Sequence, residues 1–179
     1  MGLIARVLIT VLVAGCGLLP APAGADEEGA MHELAGFTVG YLPAGVGGQV
    51  TDFHTEWGGV VSASRVWERQ LPDDGGYRVD LKVNVLRGDR LADLPAARAF
   101  LAEYHEQDPA EWDLCPFQHG DAPGQRTEGL VFWLVEPGLV VEVRLDPARF
   151  AEADLTATAM GVRRVEHVSP GEGGSAANR

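Results

Sequence analysis

The clearest pattern in the chain is a regular alternation of apolar and polar residues over positions 77–86. Tyrosine, valine and leucine occupy the odd positions, while arginine, aspartate, lysine and asparagine occupy the even positions up to 84. This alternation predicts a β-strand with one face on the core and the other in water. Positions 60–70 have a composition typical of a strand, and Pro-Asp-Asp-Gly-Gly at 72–76 is a turn sequence. The two segments together predict an antiparallel hairpin.

A second hairpin is predicted from positions 130–135 and 139–145, which are joined at Glu136-Pro137-Gly138. Proline presets one turn dihedral and glycine accepts a positive one, so this tripeptide favours a tight turn. Shorter strands are predicted at 37–42, 50–57 and 113–117, and a polar turn at 119–125.

Two amphipathic helices interrupt the strands. Asp93 is a predicted N-cap for the first, whose apolar residues recur at helical spacing until Asp108-Pro109. The second is predicted to begin at Asp146-Pro147 and to end at Gly161. We therefore expect an α+β fold, an antiparallel sheet of about five to seven strands with both helices packed on one face. The other face is expected to be largely open.

The N-terminal region has the layout of an export signal. Arg6 precedes an apolar run over 7–19, which small residues and then acidic residues follow. The run is shorter than the roughly 20 residues that a membrane-spanning helix needs. The predicted organisation is an export signal at 1–25, a flexible linker at 26–35, one α+β domain at 36–168 and a disordered tail at 169–179. The expected location is extracytoplasmic.

Two processing sites compete within this signal. Val-Ala-Gly-Cys at 13–16 matches a bacterial lipobox, in which Cys16 is lipidated and becomes the N-terminus. Ala23-Gly24-Ala25 is a site for ordinary signal peptidase, which releases a soluble protein that starts at Asp26. The sequence leaves open a lipid-anchored form and a secreted form.

The charge balance excludes several partners. The chain carries 26 Asp and Glu against 14 Lys and Arg, a formal net charge of −12. Nucleic acid and anionic lipid headgroups both require a basic surface, so neither is an expected partner. Contact with the membrane is expected only through a lipid on Cys16. No motif predicts a cofactor.

Cys115 has no intrachain partner in either processing outcome, because Cys16 is lipidated or removed. A free cysteine is most often a small buried apolar residue. The alternatives are an intermolecular disulfide and a reactive thiol, since Cys-Pro-Phe-Gln-His places His119 near a possible nucleophile. His105-Glu106 begins like a zinc-protease helix motif, but Pro109 stands where the second histidine is required.

Asp52, His54 and Glu56 alternate along one predicted strand and are the candidate metal ligands. Same-side residues on an extended strand lie about 7 Å apart, too far for all three to reach one tetrahedral ion. The simpler interpretation makes this the solvated face, with Phe53, Thr55 and Trp57 directed inward.

The segment 130–135 is apolar on both faces of its predicted strand. On a sheet with one open face, Val131, Trp133 and Val135 are either covered by another part of the chain or form a docking surface. The docking interpretation implies a partner protein or an apolar ligand.

Several short patterns together resemble small uncharacterised exported proteins and lipoproteins of actinobacteria. They are Gly36-Phe37-Thr38-Val39 to Leu42-Pro43, Val131-Phe132-Trp133 with Pro137-Gly138, Val141-Glu142-Val143, and the helix over 155–162. Some of the same pattern recurs in extracytoplasmic domains attached to anti-sigma factors. The resemblance implies no catalytic residues.

We therefore expect an exported, non-enzymatic module that binds a protein, a peptide or an apolar ligand. The first alternative is a hydrolase or thiol enzyme that uses Cys115 with a histidine. The second is a weak metal-binding protein that uses the acidic side of the strand at 50–57.

Overall fold

The computed structural model describes residues 33–72 and 75–165. The predicted export signal with Cys16 and the predicted tail at 169–179 lie outside the described residues. Within them, no helix is both long and apolar enough to cross a membrane.

Ten strands and two helices make up the described domain. The strands are β1 Glu33–Leu34, β2 Phe37–Val39, β3 Gln49–Trp57, β4 Val60–Gln70, β5 Tyr77–Arg87, β6 Cys115–His119, β7 Ala122–Thr127, β8 Leu130–Glu136, β9 Leu139–Leu145 and β10 Val162–Arg164. The helices are α1 Leu94–Tyr104 and α2 Glu152–Gly161.

Seven of these strands form one antiparallel sheet in the order β3-β4-β5-β9-β8-β7-β6. Both predicted hairpins, β4–β5 and β8–β9, are present. Helix α1 begins where the sequence places it, because the Asp93 carboxylate accepts a hydrogen bond of 2.8 Å from the Ala96 N–H. The predicted α+β fold with an antiparallel sheet and two helices is confirmed.

The placement of both helices on one face is wrong. On β8, Leu130 and Phe132 belong to the core that contains α1, whereas Val131 and Trp133 belong to the core that contains α2. We call the side of the sheet that packs against α1 the front face and the side that packs against α2 the back face. Because β8 is apolar on both sides, each side needs its own cover, and the two helices supply it separately.

A small three-stranded sheet shares the back face with α2. Its order is β1-β2-β10, and its apolar side chains join the back core: Leu34, Phe37, Val39 and Val162. Strand β1 lies inside the segment predicted as linker, so the ordered domain already includes Glu33. The two-residue strand is too short for a periodic signal of its own, and it is ordered by pairing with β2, whose other partner β10 is far away in sequence.

Several further elements differ from the sequence prediction; the strands expected at 37–42 and 113–117 are Phe37–Val39 and Cys115–His119, and the first helix ends at Tyr104. Positions 122–127 form β7, where a polar turn was expected; a Cβ on Gly124 would lie 2.3 Å from the carbonyl oxygen of Phe132, so glycine permits the close pairing with β8. Helix α2 begins at Glu152 because the carbonyl of Asp146 accepts hydrogen bonds from Arg149 and Phe150, which form a separate turn.

Candidate functional site

Val131 and Trp133 are core residues, each with 1 % of its surface exposed, and Val135 packs against the same core. The back-face layer of β1, β2, β10 and α2 covers them. Of the two alternatives drawn from the sequence, the structure therefore shows coverage, and these side chains offer no docking surface.

Asp52, His54 and Glu56 lie on β3 at the edge of the large sheet. The Asp52 carboxylate receives two hydrogen bonds of 2.7 Å from Arg65, which hold its pKa below the usual range despite partial burial. Among the described residues, no three histidine, cysteine or acidic side chains are placed to hold a metal ion. Phe53 and Trp57, which are expected to be directed inward, remain 46 % and 40 % exposed, although Trp57 contacts the core ring of Phe100.

Cys115 is a free, exposed thiol, so the prediction of a buried cysteine is wrong. It borders a cleft of about 560 Å³. His119 does not approach it: the two residues occupy opposite ends of β6, about 13 Å apart at 3.3 Å per residue. The imidazole instead stacks on Trp133 at 4.3 Å and hydrogen-bonds the Ala159 carbonyl at 3.1 Å.

A cleft of about 830 Å³ opens on the front face, beyond the C-terminal end of α1. Strands β5 and β9 and the segment that follows α1 contribute to its walls. Four chemically distinct side chains from separate parts of the chain line it: Lys82, His105, Trp112 and Arg144.

Two of the three Lys and Arg residues that line this cleft stand side by side. Lys82 and Arg144 are direct cross-strand partners on β5 and β9, so both point to the front face. Neither forms an ion pair with another described residue. The Lys82 ammonium lies 6.0 Å from the centre of the Tyr104 ring. Like charges directly opposite each other destabilise a sheet, and a counter-charge near Arg144 is the buried Glu142 carboxylate, whose pKa the charge of Arg144 helps to lower.

Two of the three acidic residues that line the cleft already lie close to arginines. Two arginines outside the cleft bind the carboxylate of Asp80, and Asp146 lies 3.8 Å from Arg78. Glu128 remains as an exposed carboxylate in the cleft lining. Lys82 and Arg144 are therefore the cations of the cleft lining that have no ion-pair partner among the described residues.

A buried polar network lies on β4, β5 and β9 beside the cleft. Glu142 is 1 % exposed; its Oε1 lies 2.5 Å from His105 Nε2, and its Oε2 accepts a hydrogen bond of 3.2 Å from Asn84. The Ser62 hydroxyl donates to the other end of the Asn84 amide. Burial alone would raise the pKa of Glu142, but the bonds from His105 and Asn84 and the positive charges of His105 and Arg144 lower it overall.

His105 is held on several sides at the end of α1, where it is the C-cap residue. The rings of Tyr104 and Trp112 meet it edge-on, with centroids 5.0 Å and 6.3 Å away. Its side chain is 10 % exposed and lines the cleft. The bond to Glu142 therefore fixes the orientation of an imidazole at the cleft wall.

Sequence reasoning missed this site because its polar residues occupy the even positions of alternating strands, where solvent exposure is the usual outcome. One signal was present. Glu142 interrupts the apolar run Leu-Val-Val-Glu-Val at 139–143, and a lone carboxylate within such a run indicates a buried, partnered acid.

Compared with known proteins, the chain matches no family model, no curated protein and no solved structure. The function is therefore argued from the geometry of the cleft.

Proposed function

We propose that this domain is an exported binding module whose front cleft holds a small organic anion, a carboxylate or a phosphate ester. The observation that carries the proposal is the cross-strand pair of Lys82 and Arg144, which lack an ion-pair partner among the described residues of a strongly acidic chain.

The two cations suit an anion in complementary ways. A guanidinium presents a planar set of donors that matches a carboxylate or phosphate, while an ammonium acts as a compact point charge. An anion between Lys82 and Arg144 would replace their mutual repulsion with two attractions. Binding is therefore expected to stabilise the fold.

The remainder of the cleft suits an organic ligand. Its volume of about 830 Å³ falls in the range typical of small-molecule sites. Apolar groups from Val79, Trp112 and Leu130 line it beside the charges. This combination favours a ligand with an anionic group and an apolar or sugar-like body over a bare inorganic ion.

The two alternative functions gain less support from the contacts. Cys115 has no hydrogen bond to a histidine among the described residues, since His119 is bonded to Ala159 and His105 to Glu142. Metal binding on β3 competes with the ion pair between Asp52 and Arg65. Binding without catalysis remains the function that the geometry supports best.

A thermal-shift screen tests the proposal. The purified protein is melted with citrate, glucose 6-phosphate, inorganic phosphate and uncharged glucose at constant ionic strength. We expect an organic anion to raise the Tm of the native protein and to leave that of the Lys82→Gln/Arg144→Gln variant unchanged. If no anion in the panel raises the Tm, or if the variant responds equally, the proposal is wrong.

A further inference from the structure

The second feature with functional implications is β3, an edge strand of the large sheet that is unusually open. It pairs with β4 through nine consecutive residue pairs and has no other strand partner among the described residues. Eight of its nine residues are exposed, and no bulge interrupts its register. Its outer edge therefore offers a straight row of main-chain donors and acceptors.

This edge has few of the features that prevent edge-to-edge association. Natural edge strands are protected by charged side chains, lysine above all, and by proline, bulges or short length. Strand β3 contains no lysine, arginine, proline or glycine, and its two acidic residues are Asp52 and Glu56. The opposite edge, β6, has only five residues and includes Pro116. The two edges of the same sheet thus differ sharply in their capacity to pair.

Exposed aromatic side chains lie along the same edge. Phe53 faces the small residue Ser64 across β4 and leaves 46 % of its surface in water. Trp57 contacts the rings of Phe100 and Tyr104 edge-on but is still 40 % exposed. A partner strand would bury the apolar surface that β4 and α1 leave open.

We propose that β3 pairs antiparallel with β3 of a second copy of this chain, about a two-fold axis through the pair of Phe53 residues. Phe53 is the middle residue of Gln49–Trp57, so this register pairs all nine residues of both strands. It also sets Asp52 opposite His54 twice, on the face away from the phenylalanines, so that no two carboxylates face each other. Aromatic cross-strand pairs stabilise such an interface.

Charge distinguishes this register from its neighbours. An axis at His54 sets Asp52 opposite Glu56 twice, and an axis at Asp52 sets that carboxylate against its own copy. An axis at Thr55 is compatible in charge but leaves only the five residues 53–57 paired. Of these registers, the one centred on Phe53 alone combines full overlap with the absence of facing carboxylates.

This interface does not depend on the proposed ligand. Residues of β3 do not line the front cleft, which lies across β5 and β9. Two copies joined at β3 form one continuous sheet with a cleft on each half.

Sedimentation equilibrium over a concentration series tests the association. The full chain carries Cys16→Ser and Cys115→Ser, which exclude lipid attachment and disulfide exchange. We expect a monomer–dimer equilibrium whose dissociation constant rises about tenfold or more in His54→Glu, because two pairs of like charges then face each other. Gln118→Glu on β6 is the matched control and should leave the equilibrium unchanged. A chain that stays monomeric throughout overturns the proposal, as does a dimer that His54→Glu does not weaken.

Cross-linking in the same background tests the register. Phe53→Cys places two thiols directly opposite each other, so mild oxidation with diamide should give a covalent dimer. Thr55→Cys places its thiols about 13 Å apart along the strand, and little cross-linking is expected. Faster cross-linking of the Thr55→Cys variant would assign the axis to another residue and overturn the proposed register.

Discussion

His105 Nε2 lies 2.5 Å from Glu142 Oε1, which connects the C-terminal end of α1 to a carboxylate that is almost completely buried in the large sheet. Removing one member of a buried charged pair leaves the other uncompensated, which is far more costly than exchanging both. The pair therefore contributes to the position of α1 over the front face and to the shape of the cleft beside it.

The free energy of unfolding should fall as the pH drops below the ordinary pKa of a glutamate side chain. The pKa of Glu142 in the folded protein is lowered from 4.5 by its bonds to His105 and Asn84 and by nearby positive charge, despite its burial. Its contribution is thus fully present above about pH 4.5 and is lost as the pH drops through the lower folded value. Urea denaturation over a pH series should show a smaller loss for Glu142→Gln than for the native chain. Parallel pH curves for the two proteins would contradict this assignment.

A double-mutant cycle should reveal strong coupling between the two residues. His105→Phe keeps an aromatic ring between Tyr104 and Trp112 but removes the bond to Glu142, and we expect a loss of about 3 kcal/mol in the free energy of unfolding. Glu142→Gln in the His105→Phe background should recover part of that loss. Additive effects, measured by chemical denaturation, would show that the two groups do not interact.

Lys82→Gln should stabilise the unliganded protein slightly, by about 0.5 kcal/mol, because it removes repulsion from Arg144. The matched control is Arg163→Gln, which removes one positive charge from an exposed position on β10. Chemical denaturation at low and high salt tests this explanation, since salt screens the repulsion between Lys82 and Arg144 and should reduce the gain in stability. A clear loss of stability in Lys82→Gln alone would contradict the view that this lysine is retained for a ligand.

The mature N-terminus should show that the chain is exported. Intact-mass spectrometry of protein from cells that express the full sequence is expected to find either a diacylated Cys16 or a chain that begins at Asp26. Either product confirms processing by an export pathway and distinguishes the anchored form from the secreted one. A chain that retains Met1 would contradict the prediction.

Local sequence pattern predicted the hairpins and α1 well, because alternation, turn residues and the Asp93 cap act over a few positions. It failed where long-range packing decides the outcome. The expectation of a sheet with one open face is wrong, although the two apolar sets of the segment 130–135 are the mark of a sheet covered on both sides. The small strands β1 and β10 depend on pairing with β2 and carry no periodic signal of their own.

Local sequence pattern could not identify the candidate site either, because long-range packing brings its residues together. Lys82, Asn84 and Arg144 stand at positions that an isolated hairpin would expose to water. Asn84 is buried only after α1 packs on the front face, and the cleft exists only after the segment that includes Trp112 folds beside it. The pairing of Lys82 with Arg144 follows from the β5–β9 register, which joins strands more than 50 residues apart in the sequence.

Calorimetric titration of the organic anion that gives the largest thermal shift tests the central claim most directly. The native protein and Arg163→Gln should bind one equivalent with the same affinity, whereas Lys82→Gln and Arg144→Gln should each bind about tenfold more weakly or worse, as expected for loss of one charged contact. Equal affinity in all four proteins would show that the anion binds elsewhere and would contradict the assignment of this cleft as the ligand site.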